Sequence, residues 1–135
     1  MSIAPLMWLM LHTMSIKIKP EVYTKNREEI LEIIRELYSI YPCKYCRADA
    51  INYLDNYHNR IETQIELKEY FYNFHHYVNV KLYKKFYDKT ILDKYVNVDL
   101  KTIFNVFIRN CEINPNIELT DKLLTFFNNN ADWFY

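Results

Sequence analysis

Tyr41-Pro42-Cys43-Lys44-Tyr45-Cys46 places two thiols one helical turn apart directly after a proline. A helix beginning at or just after Pro42, whose fixed φ suits the first helical position, puts Cys43 in the first turn. Unsatisfied N–H groups and the positive end of the helix dipole favour a thiolate there. Spacing i, i+3 sets Cys43 and Cys46 on one face, close enough to exchange between dithiol and disulfide. Taken alone, one C-x-x-C is compatible with a redox pair, a metal site or no special chemistry.

Composition narrows these options. The chain has 135 residues, enough for one domain and too few for two full-sized ones. Half of the residues are hydrophobic and 17% are aromatic, so material for a core around a flat ligand is ample. Lys+Arg and Asp+Glu both number 17, which leaves no global field for nucleic acid or an anionic membrane. Local patches such as Lys81, Lys84 and Lys85 remain candidate anion sites. Glycine is absent, which removes the Gly-rich dinucleotide fingerprint and the P-loop. Turns fall instead to Asn, Asp and Pro, as at Asn114-Pro115-Asn116 and Asn128 to Asn130. Three cysteines allow at most one intrachain disulfide, so a disulfide-stapled secreted fold is not expected and the cytoplasm is the expected location. The apolar run from Ile3 to Leu11 is too short to span a bilayer and has no basic residue ahead of it, so it is not read as a signal peptide.

The periodicity is helical throughout. Pro5 to Met14 reads as a short, nearly all-apolar helix, buried on most sides, with Trp8 and His12 neighbours on one face. Core tryptophan and hydrogen-bonded core histidine is the plain reading of that pair; a ligand wall is the other. Pro20 ends this region, and Asn26 with Glu29 resembles a capping box opening the next helix, whose inner face is Ile30, Leu31, Ile33, Ile34, Leu37 and Tyr38. Glu28, Glu32, Arg35 and Glu36 fall on its outer side. A third helix runs from the cysteines to about Asp55, stacking Cys46, Ala50 and Leu54. Thr63 and Glu66 make another capping box, followed by a stripe of Leu67, Phe71, Phe74, Val78 and Leu82 bordered by His75 and Asn79. His76 is turned by about 100° from His75 and should face solvent. A last short turn of helix spans about Leu92 to Tyr95.

Residues 96–135 read as an appended helical tail beyond a first unit of residues 1–95. Asp99 can cap a helix with the face Leu100, Ile103, Phe104, Phe107, Ile108 and Cys111, which argues that Cys111 is a buried structural thiol. Thr120 can cap a second helix, and Trp133-Phe134-Tyr135 must dock on this chain or on a partner.

Three separated motifs resemble the FAD-linked sulfhydryl oxidases of the Erv/ALR type. Trp8-Leu9-Met10-Leu11-His12 is similar to the family's W-x-x-L-H, Tyr41 to Cys46 to its Y-P-C-x-x-C, and His75-His76-Tyr77-Val78-Asn79 with Lys81-Leu82 to its H-N-x-V-N-x-K-L. Their order and spacing are also similar, over about residues 4 to 95. The sequence departs from the pattern in having Ala4 near the place of a glycine, His76 in place of an asparagine, no second structural cysteine pair and no second dithiol shuttle motif. In that compactness it looks most like the viral members.

The resemblance implies an all-α fold, a four-helix bundle with a short fifth helix holding FAD non-covalently, here followed by the tail. It implies Cys43 and Cys46 as the catalytic pair, with Cys46 nearer the flavin. Trp8, His12, His75, Asn79 and Tyr95 would surround the cofactor, with Lys81 and Lys84 near its phosphates. Electrons from a dithiol protein, such as a thioredoxin-like carrier, would pass through the pair and FAD to O2, giving hydrogen peroxide. The resemblance also implies a homodimer through the first helices, which suits the apolar surface of residues 3 to 14. No metal site is expected. Two other functions compete: a zinc-binding module using Cys43, Cys46, His75 and His76, and a non-catalytic helical interaction protein. Adjacent helical histidines point about 100° apart, which disfavours their sharing one tetrahedral ion.

Overall fold

The structure is a computed structural model that describes residues 3–111 and 117–135. The described residues form six α-helices: α1 (Ile3–Lys17), α2 (Pro20–Ser39), α3 (Lys44–Tyr57), α4 (Gln64–Lys81), α5 (Leu100–Cys111) and α6 (Ile117–Asn129). Short 3-10 segments cover His58–Arg60, Lys89–Asn97 and Ala131–Trp133. Among the described residues the only β feature is an isolated antiparallel bridge between Ile18 and Phe134.

Helix α1 is apolar on nearly every side, and such a helix is stable in water only if surrounded. Helix α4 and the Lys89–Asn97 segment pack on one part of it and α5 on another. Leu6, Met10, Leu11 and Met14 are each no more than 2% exposed as a result. The helix outlasts the expected end at Met14 and stops at Lys17. Pro20 does not terminate it; it occupies the start of α2, where a missing N–H costs nothing, and Lys19 is the extended N-cap residue. Much of the apolar surface that suggested a homodimer, at Leu6, Met7, Met10, Leu11 and Met14, is thus buried within the chain.

Helix α2 is continuous across Asn26, which is not the capping residue expected. Its backbone leaves helical values (φ −117°, ψ 26°) while the side-chain Nδ2 donates to the Val22 carbonyl at 3.0 Å. This back-bond kinks the helix without ending it. The kink is held from both sides by Tyr23 Oη and Arg27 Nε, which donate to the Ile61 carbonyl at 2.6 and 2.7 Å. Beyond it, α2 packs on α3 and α4 through Ile30, Ile34 and Leu37. Glu36, expected outside, is buried because α6 covers it, and it pairs with Lys122.

The Thr63/Glu66 capping box forms as expected: Thr63 Oγ1 accepts the Glu66 N–H while the Glu66 carboxylate accepts the Thr63 N–H. Helix α4 then buries Leu67, Phe71 and Phe74, but the stripe ends before Leu82, which is 55% exposed. There the chain turns through Tyr83, at φ 55°, with the Lys84 N–H bonded to the Asn79 carbonyl at 2.8 Å and the Tyr83 N–H to that of Val80. This is a Schellman ending with tyrosine at the position glycine usually takes.

The tail shares the bundle's core. Phe104, Phe107, Leu123 and Phe127 belong to the same buried cluster as Leu6, Ile34 and Phe71. Asp99 caps α5, accepting from the Thr102 hydroxyl at 2.6 Å. Thr120 does not cap α6, which already includes it. The terminal aromatics dock on this chain: the Lys19 N–H donates to the Trp133 carbonyl at 2.9 Å and the Tyr135 N–H to the Lys17 carbonyl at 2.8 Å. The Cys111 side chain and the expected Asn114-Pro115-Asn116 turn lie outside the described residues.

Candidate functional site

Helix α3 begins at Lys44, two residues beyond Pro42. Cys43 is the extended N-cap (φ −87°, ψ 114°), and its Sγ accepts the Cys46 N–H at 3.2 Å. Cys43 and Cys46 are joined in a disulfide with Cα atoms 5.2 Å apart. The capping role of the sulfur and the disulfide use the same geometry: an N-cap side chain points back toward the third residue of the first turn. Cys43 is half-buried and Cys46 exposed at the surface of a cavity. No acidic residue lies in that first turn.

Two cavities adjoin at Trp8. One, of about 610 Å³, is walled by Trp8, Leu11, Tyr38, Tyr41, Phe74 and Val78 and reaches Cys46. The other, of about 520 Å³, is lined by His12, His75, His76, Tyr72, Tyr87, Lys84, Lys85, Lys94 and Tyr95, among others. Trp8, Asn79, Ala4 and Lys84 line both. The walls therefore come from α1, the end of α2 and the turn after it, α3, α4 and the 84–95 connection, brought together by the packing of α1 on α4.

The aromatic groups are ordered against one another. The Trp8 and His75 rings stack with centroids 3.9 Å apart and planes 7° from parallel. His12 Nε2 and His75 Nδ1 share a hydrogen bond of 3.0 Å, and His12 stacks on Tyr95 at 4.9 Å. Burial lowers the His12 pKa to about 3, with His75 and Lys94 adding to the effect. Burial likewise lowers His75 to about 4, helped by Lys84 and Lys94. Both rings are neutral at pH 7, so a single N–H serves their shared bond. His12 Nδ1 is buried without a hydrogen-bond partner among the described residues.

Charge is distributed unevenly between the cavities. The second is lined by Lys84, Lys85 and Lys94 and by no Asp or Glu. Among the described residues none of the three makes an ion pair. Lys81 is absent from the second cavity's lining: it lines the first, which it shares with Lys84, and there its Nζ pairs with Asp49 of α3 at 2.9 Å, with Tyr77 Oη 3.4 Å away.

Of the residues singled out from sequence, Trp8, His12, His75, Asn79, Lys84 and Tyr95 meet around the second cavity, and Cys46 and Lys81 around the first. His76 is not turned to solvent as expected. It is half-buried on the second cavity's wall, with Phe86 edge-on at 4.8 Å, because the connection after Tyr83 folds back over α4. Lys94, Tyr72 and Tyr87 were not picked out; the position of Lys94 beside Tyr95 was the one available signal. Among the described residues no three His, Cys, Asp or Glu side chains stand together as a metal ion requires, and no helix is long and apolar enough to cross a membrane.

A family model described as the Erv1 / Alr family matches residues 5–100, more than half of the chain and the whole of both cavity walls save Ala4. No curated protein and no solved structure matches it.

Proposed function

The chain belongs to the Erv1 / Alr family, and from that premise we propose that it is an FAD-linked thiol oxidase that makes disulfides in dithiol proteins. One observation supports this most: a C-x-x-C disulfide opens onto an aromatic cavity that adjoins a second one carrying three lysines and, among the described residues, neither a carboxylate in its lining nor an ion pair to those lysines. A flavin dinucleotide needs flat apolar walls, a few fixed polar groups and cations for its pyrophosphate. The residues present fit each need. Trp8, Tyr38, Tyr41 and Phe74 offer the flat walls near Cys46. The stacked Trp8, His75 and His12, with the unpartnered His12 Nδ1, suit an aromatic base. Lys84, Lys85 and Lys94 suit the phosphates.

When bound, FAD supplies a two-electron acceptor for the reduced cysteine pair and passes those electrons to O2, giving hydrogen peroxide. The protein's own residues carry the thiol chemistry. A substrate thiolate attacks Cys43 Sγ, forming a mixed disulfide as the Cys43–Cys46 bond breaks and its electron pair leaves on Cys46. The first-turn N–H groups of α3, with no acid beside them, stabilise that Cys46 thiolate. A second substrate thiolate then attacks the substrate sulfur of the mixed disulfide, closing the product disulfide and freeing Cys43. Because Cys46 lies on the cavity wall, a ring held there leaves Cys43 as the sulfur that an incoming protein reaches. A dithiol protein such as a thioredoxin-like carrier delivers its electrons to Cys43 in this reading.

Purified full-length protein is expected to be yellow, with about one flavin per chain and no zinc, and to consume O2 with dithiothreitol. A colourless protein that takes up no FAD on incubation would overturn the reading.

A further inference from the structure

We propose that the surface around Cys43 selects dithiol segments whose cysteines are flanked by acidic residues, a specificity that rests on the oxidase reading above. The chain as a whole is electrically balanced, yet the approach to the disulfide is not. The first turn of α3 holds Lys44 and Arg47 and no acid, and its free N–H groups add the positive end of the helix dipole. Lys44 is exposed and makes no ion pair among the described residues. The carboxylate on the adjoining cavity wall, Asp49, is engaged by Lys81 at 2.9 Å. The remaining local charge is positive.

Beside these cations stands an apolar footing. Tyr45, between the two cysteines, is 85% exposed, and Leu82, on the rim of the same cavity, is 55% exposed. A segment laid across Tyr45 removes that ring from water and sets its neighbouring residues against Lys44. The field that draws carboxylates also draws the attacking thiolate, so recognition and reactivity favour the same partner.

The test uses flavin-loaded full-length protein and two synthetic peptides, each with one C-x-x-C dithiol, flanked by glutamates in one and lysines in the other. Dithiothreitol serves as the uncharged reference. Each peptide's rate is divided by its rate with an uncharged small disulfide, which removes the effect of the flanks on intrinsic thiol reactivity. At low salt the acidic peptide is expected to have a normalised kcat/KM about tenfold above the basic one, the ratio falling toward one as salt is raised. Lys44→Glu is expected to invert the ratio, a readout in which any general change in disulfide reactivity cancels. Equal normalised rates with dithiothreitol still oxidised would overturn the recognition and spare the oxidase reading. Oxidation of none of the three would overturn both.

Discussion

Cys43 and Cys46 occupy unlike positions although three residues separate them. Cys43 caps α3 with its sulfur, whereas Cys46 belongs to the first turn and to the cavity wall. Cys43→Ser is therefore expected to abolish protein-thiol oxidation while leaving Cys46 able to give the long-wavelength absorbance of a thiolate beside flavin. Cys46→Ser should lose both. Full turnover in Cys43→Ser would reverse the assigned roles. The His12/His75 pair makes a separate prediction about pH. Both folded pKa values lie below the ordinary 6.5, at about 3 and about 4, so the unfolded chain binds the extra protons first. Their contribution is fully present above pH 6.5 and is lost as pH falls from there toward 4, at up to about 1.4 kcal/mol per pH unit for each ring. The lowered carboxyls of Asp55 and Asp99 act only below this window. Urea unfolding at pH 7, 6 and 5 should show that slope, flattened in His75→Gln, and equal slopes in the two proteins would refute a neutral His75.

At the level of elements, one sequence pattern met two fates. Thr63 with Glu66 closes a capping box because the chain before Thr63 is extended (φ −120°, ψ 162°) and non-helical. Asn26 with Glu29 does not, because Pro20 has already started the helix and Asn26 satisfies itself on the Val22 carbonyl. Local pattern identifies residues able to cap; whether the chain is already helical there depends on what precedes. The end of α4 carries a conformational cost. Tyr83 holds φ 55° with its side chain 98% exposed, so the conformation costs about 1 kcal/mol or more and no side-chain packing offsets it. Tyr83→Gly is expected to raise stability by roughly 0.5–1 kcal/mol after the larger unfolded-state entropy of glycine is allowed for. Thermal melts would read this as a higher Tm, and a lower one would mean that Tyr83 makes a contact in the folded state.

Across the whole molecule the tail and the bundle share one core, which joins α5 to the same α1 that carries Trp8 and His12. Phe107, fully buried on α5, is expected to cost about 3–5 kcal/mol on replacement by alanine. A loss below about 1 kcal/mol in denaturant titration would mean that α5 is not part of the cooperative unit. Period and chain order were enough for the helical class, the capping of α4, the inner face of α2, the burial of Leu100, Phe104, Phe107 and Ile108 on α5, and the cysteine, tryptophan and histidine positions around which the cavities form. Those properties depend on period, chain order and side-chain chemistry, all carried by residues near in sequence. Tertiary packing was needed to bury Glu36 under α6, to pair Lys81 with Asp49, to set His76 against a returning loop, and to close the terminal aromatics over Ile18. Each of these depends on a partner distant in the chain, and helical periodicity fixes which face a residue takes without saying what will cover it.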